Sequence, residues 1–135
     1  MTGSPQVGDV LTPLVLPPLT RATLALYAGG SGDHVPLHID LDFARAAGHR
    51  DVFMHGMLGA AYLARVVTGW VPQEWLRTMA VRFSAITYPG EALVAEGTVT
   101  AVAPGGEVML AVQLRTTDGA VKISGHATVA RPDPS

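Results

Sequence analysis

The fold is decided by the segment HGMLGAAYLARVVT, residues 55–68, in which Arg65 is the only charged side chain. In a helix, the apolar residues of this segment lie on nearly all sides, so other structure must cover the helix almost completely. Gly56, Gly59 and the two alanines that follow keep the first turns thin and allow a second backbone to approach closely. We interpret the thin turns as tight packing against a sheet, and space for a ligand beside the helix start is the alternative.

Downstream of residue 78 the sequence alternates between apolar and polar residues, which is typical of half-buried strands. Three apolar faces are predicted from this alternation: Met79, Val81, Phe83 and Ala85; Val108, Leu110, Val112 and Leu114; and Val121, Ile123, Ala127 and Val129. The polar faces would carry Arg82, Lys122 and His126, and a fourth, more apolar strand falls within residues 92–102. The turn sequences YPGE, APGGE and TDGA separate the strands, so neighbouring strands should run antiparallel. The pattern predicts an α+β fold in which a curved antiparallel sheet wraps around the central helix.

Length and composition limit the possible functions. The chain has 135 residues, of which 48% are apolar, and a net charge of −2 with no cysteine. We therefore expect a single domain over residues 1–135, with an extended lead-in at 1–19 and a tail at 131–135. The absence of a basic patch argues against nucleic acid binding, and no segment approaches the roughly 20 apolar residues of a membrane helix. Without a recognisable signal peptide, we expect a cytoplasmic protein that does not bind membranes.

Two short helices are predicted before the central one. The first lies within residues 19–30, with Thr20 as its N-cap and with Gly29 and Gly30 ending it. The second lies within residues 40–48, where Asp40 caps the start, Gly48 ends the helix, and Phe43 and Ala44 pack inward.

The loop between these helices, within YAGGSGDHVPLHID (residues 27–40), concentrates titratable groups in an otherwise apolar chain. Pro36 restricts the residue before it to extended conformations, so the loop should be well ordered. An ordered turn can aim Asp33 and His38 into the same space, where they would form a catalytic pair. From the residues alone, a loop in which Asp33 caps a turn and His38 packs remains the alternative. The neighbouring His34 is expected to be solvated.

Other chemistries find little support in the sequence. The residues His34, His38, His49 and His55 lack the compact spacing of a zinc motif. No nucleophile elbow, P-loop or dinucleotide-binding fingerprint is present. We therefore predict no metal site and no cofactor.

The loop and the start of the central helix resemble the signature of the MaoC-like, (R)-specific enoyl-thioester hydratases. In that family an aromatic residue is followed by Ser-Gly-Asp, any residue, Asn-Pro, an aliphatic residue and His, and this chain departs from it with Val35 in place of Asn. MHGML at 54–58 resembles the family's AHGM segment, and VRFSAITYPGEAL at 81–93 resembles its following strand-turn-strand. The resemblance runs from about residue 19 to 130 and implies a hot-dog fold, usually paired into a dimer.

The resemblance also implies a reaction and a site. The reaction is (R)-specific hydration of trans-2-enoyl thioesters of coenzyme A or acyl carrier protein, or the reverse dehydration of 3-hydroxyacyl thioesters. Asp33 and His38 would hold the reacting water, and the Gly56 backbone N–H would stabilise the thioester oxygen. Pocket or loop support would come from Ser31, His55, Met57 and Gly59, where His55 and Ser31 are expected to be mainly structural.

Two further interpretations stay open at this stage. The chain would be a β-hydroxyacyl carrier-protein dehydratase subunit of fatty-acid or polyketide synthesis, or a non-catalytic hot-dog partner or acyl-binding subunit. The open edges of a small sheet favour edge-to-edge pairing. We therefore expect a homodimer, with a heterodimer containing another hot-dog subunit as the alternative.

Overall fold

The structure is a computed structural model that describes residues 3–131; residues 132–135 of the expected tail lie outside the described residues. Its helices are α1 Arg21–Ser31, α2 Leu41–Ala46 and α3 Gly56–Thr68, and its strands are β1 Leu14–Val15, β2 Leu76–Phe83, β3 Leu93–Val102, β4 Val108–Thr116 and β5 Val121–Val129. All strand pairs are antiparallel, and the order across the sheet is β1-β3-β4-β5-β2. No helix within residues 3–131 combines the length and apolar character needed to cross a membrane.

The central helix α3 packs against the inner face of the sheet and contacts all five strands. Leu63 and Val67 on α3 are completely buried, as are Leu110 and Leu114 on β4. The predicted central helix, the antiparallel sheet around it and the inward face of β4 are therefore confirmed.

Gly59 explains how the helix approaches the sheet so closely. A Cβ atom at this position would overlap Ile123 Cδ1 and lie 3.0 Å from Leu114 Cδ2. Core side chains thus occupy the space beside Gly59, as the packing interpretation predicts for this position.

From residue 3 onward, the lead-in is extended, and the sheet holds it. Leu14 and Val15 pair with β3, and Val10 forms an isolated bridge to Thr98. Leu11, between these contacts, is almost fully buried. Sequence patterning did not predict this pairing, because the proline-rich segment lacks the alternation of a longer strand.

The two short helices occur where expected, with two corrections. The N-caps are confirmed, since Thr20 accepts from the Thr23 N–H and Asp40 accepts from the Phe43 N–H. The prediction that Gly29 and Gly30 end α1 was wrong, because the helix continues to Ser31 and ends at Gly32, whose φ is 78°. Phe43 was expected to pack inward but is half exposed.

Strand β5 differs from the predicted alternation near its start. Leu114 pairs with Ile123 and Arg115 pairs with Val121, so Lys122 is an extra residue in a bulge. A bulge re-aims side chains, and accordingly Val121 is exposed whereas Lys122 is only 8% exposed. The predicted placement of Val121 in the core and Lys122 on the polar face was therefore wrong. Phe83 and Ala85 on the neighbouring segment are also exposed, because β2 ends at Phe83.

Candidate active site

The end of α1 places Asp33 at the site. Gly32 takes the left-handed conformation that ends the helix, and Asp33 follows directly. Its N–H donates to Ser31 Oγ at 3.1 Å, and its Oδ1 accepts the Val35 N–H at 3.2 Å. The first bond holds the Asp33 backbone, and the second holds the carboxylate through Oδ1 and leaves Oδ2 available.

His38 is positioned by a single turn of 3-10 helix, Pro36–His38. Its Nδ1 lies 2.7 Å from the carbonyl oxygen of Phe53. A carbonyl only accepts, so Nδ1 carries the hydrogen and Nε2 presents a lone pair when the ring is neutral. That Nε2 lies 4.0 Å from Asp33 Oδ2, and the side chains of His38 and Asp33 are 11% and 43% exposed.

The gap between these two atoms suits one water molecule. A separation of 4.0 Å is too long for a direct hydrogen bond. Two acceptors at this distance each lie within about 2.8 Å of a water oxygen placed beside them, and that water has one hydrogen for each. The structure thus brings the predicted pair together in an arrangement that can orient and deprotonate water.

His55 lies beneath this pair and is 1% exposed. Its ring stacks on His38 with centroids 3.8 Å apart and meets the ring of Tyr27 edge-on at 4.7 Å. Its Nε2–H donates to the Asp33 main-chain oxygen at 3.2 Å, which leaves Nδ1 buried without a partner within the described chain. Burial lowers the pKa of His55, and the hydrogen bond to Asp33 only partly opposes this effect. His55 is therefore a neutral ring that supports both members of the pair.

The residues Asp33, His38 and His55 have potential metal-ligand atoms within 4.8 Å of one another. The two imidazole planes are only 23° from parallel, so their in-plane lone pairs run side by side. Zinc needs lone pairs that converge at about 2.0–2.1 Å. In addition, one nitrogen of each ring bonds a backbone carbonyl. The geometry favours hydrogen bonding to water over metal binding.

The start of α3 forms one end of an open slot of about 330 Å³. The N–H groups of Leu58 and Gly59 bond His55 O, whereas no acceptor within residues 3–131 is found for the Gly56 N–H. A free N–H at a helix start is a donor for a developing negative charge. The slot is lined by residues of the loop before α3, of β2 and its following loop, and of β5: Phe53, Met54, Gly56, Phe83, Ser84, Ala85, Ile86, Thr87, Lys122 and Ile123.

A larger cavity of about 790 Å³ lies elsewhere, between the lead-in and the last turns of α3. Asp9 and Arg65 are among its lining residues, and it shares none with the slot or with the Asp33–His38 pair. We place the site at the smaller slot because Phe53, in its wall, holds His38 through its carbonyl oxygen.

The other residues named from sequence differ in where they lie. Ser31 is in the last turn of α1 and supports Asp33, while Met57 is exposed on α3 outside the slot lining. His34 and His126 are exposed. Sequence reasoning missed the Phe53 carbonyl, which has no side-chain signal, and the burial of Lys122, which depends on the bulge.

An antiparallel sheet around one helix, with an Asp and a His brought to 4.0 Å from each other, is the arrangement of a MaoC-like hot-dog domain. The chain belongs to this family: the model of the MaoC like domain matches residues 6–120. It is 28% identical over 116 residues to an (R)-specific enoyl-CoA hydratase of Rhodospirillum rubrum, covering 84% of this chain and 81% of the relative. It is 31% identical over 98 residues to a mitochondrial 3-hydroxyacyl-[acyl-carrier-protein] dehydratase of Arabidopsis thaliana, covering 73% of this chain and 57% of the relative.

The fold comparison agrees with the sequence comparisons. The structure of an (R)-hydratase from A. caviae involved in PHA biosynthesis superposes with a TM-score of 0.85 at 27% identity, covering 96% of this chain and 98% of that one. The hot-dog fold and the family resemblance predicted from sequence are thereby confirmed.

Proposed function

We propose that this protein catalyses the (R)-specific hydration of trans-2-enoyl thioesters and the reverse dehydration of 3-hydroxyacyl thioesters. The observation that carries the proposal is the 4.0 Å separation between Asp33 Oδ2 and the His38 Nε2 lone pair. Family membership and the similarity to the R. rubrum hydratase support the reaction class.

The chemistry follows from the two acceptors. Asp33 and His38 orient one water, and its oxygen bonds to the β-carbon of the enoyl group while the pair takes one of its protons. The electron pair of the Cα–Cβ double bond moves toward the thioester carbonyl, and the α-carbon then receives a proton from the pair. The net result is addition of one water molecule, with its hydroxyl group on Cβ and a hydrogen on Cα. Because the two groups interact, they act as one acid–base unit.

The thioester oxygen gains negative charge in this step and needs a donor already in place. The Gly56 N–H, at the positive end of α3, supplies it. The adjacent slot would hold the thioester group, and its mainly apolar lining suits an acyl chain. Coenzyme A and acyl carrier protein both present such thioesters, and the A. thaliana relative is named for the second carrier.

A homodimer is part of this proposal. Strand β2 pairs with β5 on one side, and within residues 3–131 no strand covers its other side. Phe83, at the end of β2, is half exposed and packs beside Gly56. A second copy paired along β2 would bury this edge and shield the slot. Light scattering on the purified chain at micromolar concentration should give twice the monomer mass, and a monomer would overturn this part.

The function is tested by following hydration of crotonyl-CoA and its acyl-carrier-protein counterpart by the purified chain. We expect loss of the enoyl absorbance and formation of the (R)-3-hydroxy product, identified by chiral chromatography. Absence of turnover on both carriers over a range of chain lengths would contradict the proposal. Activity that appears only after addition of another hot-dog chain would instead favour the subunit alternative.

A further inference from the structure

The wall of the slot contains a buried lysine that the alternation pattern placed on the opposite face. Lys122 reaches this position because of the bulge in β5, and it lines the slot together with Ile86 and Ile123. The bulge turns this charged side chain inward beside the candidate site. Burying an ammonium group is energetically unfavourable unless the group is paired.

The pairing of Lys122 is incomplete. Its Nζ donates to Ile86 O at 2.8 Å and to Glu91 Oε1 at 2.9 Å. An ammonium group has three donors, so one N–H has no acceptor within the described chain. Glu91 is firmly ionised: burial acts to raise its pKa, but bonds from the Tyr88 N–H and Lys122 and the charges of Lys122 and Arg50 together lower it.

A second polar group in the same wall also has no partner. Thr87 lines the slot and is 2% exposed, and no hydrogen-bond partner for its Oγ1 is found within the described chain. Buried hydroxyl groups are nearly always paired, so an unpaired one requires an explanation, and a bound ligand would supply the partner.

We propose that Lys122 and Thr87 form a polar subsite in the slot, which binds a neutral carbonyl or hydroxyl oxygen of the thioester ligand. A neutral oxygen is expected rather than a carboxylate, because Glu91 already balances the lysine charge and would repel a second anion. Such an oxygen has two sources in a thioester, namely an amide of the phosphopantetheine arm and a substituent on the acyl chain. The identity of the ligand rests on the proposed function.

Binding of saturated, unreactive thioesters tests the subsite without any turnover. Isothermal titration calorimetry would compare butyryl-CoA, a 3-oxobutyryl thioester and a butyryl propyl thioester, which lacks amides, on the dimer or monomer as purified. Relative to the propyl thioester, we expect binding to weaken about tenfold or more in Lys122→Met, the loss typical of a charged hydrogen bond. In Thr87→Val we expect a loss of about two- to tenfold, which is typical of a neutral hydrogen bond. A loss with every CoA ligand assigns the arm, and a loss only with the 3-oxo ligand assigns the acyl chain.

Matched variants separate this role from a purely structural one. Thr87→Val removes a buried unpaired hydroxyl and should fold at least as well as the native chain. Glu91→Gln breaks the ion pair but leaves the lysine donor in place, so its ligand preferences should stay native. Equal weakening of all three ligands, or native preferences in both Lys122→Met and Thr87→Val, would overturn the subsite. None of these binding measurements requires turnover. If the proposed hydration fails, they would therefore still show whether the subsite exists.

Discussion

The imidazole of His55 stacks on that of His38, with ring centroids 3.8 Å apart. The same side chain bonds the main-chain oxygen of Asp33 through Nε2. One buried residue just before α3 thus contacts both members of the proposed water-binding pair. We therefore expect His55 to act as a positioning residue, through its contacts with Asp33 and His38.

The variant His55→Phe should show what the hydrogen bond to Asp33 contributes apart from the stacking on His38. Phenylalanine keeps a stacking ring below His38 but cannot donate to the Asp33 oxygen, so we expect kcat to fall about tenfold, consistent with one lost hydrogen bond. His55→Gln keeps a donor and loses the ring. If stacking positions His38, the glutamine variant should shift the pH dependence of kcat/KM, whereas a purely structural role would lower the melting temperature and leave that profile unchanged.

The buried His55 also predicts a pH dependence of stability. Its pKa is lowered in the folded protein, so the unfolded chain binds a proton more readily. The contribution of His55 to the free energy of unfolding is therefore fully present above its pKa in the unfolded chain, about 6.5. That contribution is lost as pH falls from there through the lower pKa of His55 in the folded protein. We expect the melting temperature to drop between pH 7 and 5, and this drop to be smaller in His55→Gln. An unchanged slope in that variant would assign the effect to another group.

Two glycines in α3 should respond differently to alanine. A Cβ at Gly56 would lie 2.9 Å from the ring of Phe83, which is half exposed and can shift. A Cβ at Gly59 would overlap the buried Ile123 Cδ1 and lie 3.0 Å from the buried Leu114 Cδ2. Gly56→Ala should lower kcat/KM at least tenfold with little change in melting temperature. Gly59→Ala should cost about 1–3 kcal/mol of folding free energy, as overpacking does. The reverse pattern in activity and thermal denaturation assays would contradict the placement of the slot.

The departure from the family signature at Val35 should matter little. Asp33 Oδ1 is held by the main-chain N–H of Val35, which any residue except proline provides, and the Val35 side chain is exposed. We expect Val35→Asn to change kcat/KM by less than about threefold, because the bond that orients the carboxylate is retained. A rise of more than tenfold would mean that the asparagine side chain supplies a function that valine lacks.

Sequence patterning predicted the elements whose signal is local. The all-round apolar helix α3, the alternation in β4 and the caps at Thr20 and Asp40 depend on periodicity or on bonds within one turn. The end of α1 was harder to predict, because three glycines follow one another closely and only Gly32 adopts the left-handed conformation. Composition alone does not show which of the three glycines takes it.

Asp33 and His38 could be predicted as a pair from the sequence. The groups that hold them in place and line the slot could not be predicted in this way. The Phe53 carbonyl that fixes the His38 tautomer belongs to the backbone and carries no side-chain signal. The inward turn of Lys122 depends on the register between β4 and β5, which alternation within one strand does not encode.

Whether Asp33 and His38 act on one shared water can be tested by a double-mutant cycle on the two residues, measured as kcat for crotonyl-CoA hydration. Asp33→Asn and His38→Gln should each lower kcat by about 10²–10⁴-fold, and the double variant should be little worse than the poorer single one, because the two groups act on one water. The exposed neighbour His34→Gln is the control and should retain native kcat, and circular dichroism should show all four variants folded. Near-native kcat in either folded single variant, or losses that simply multiply in the double variant, would contradict the account.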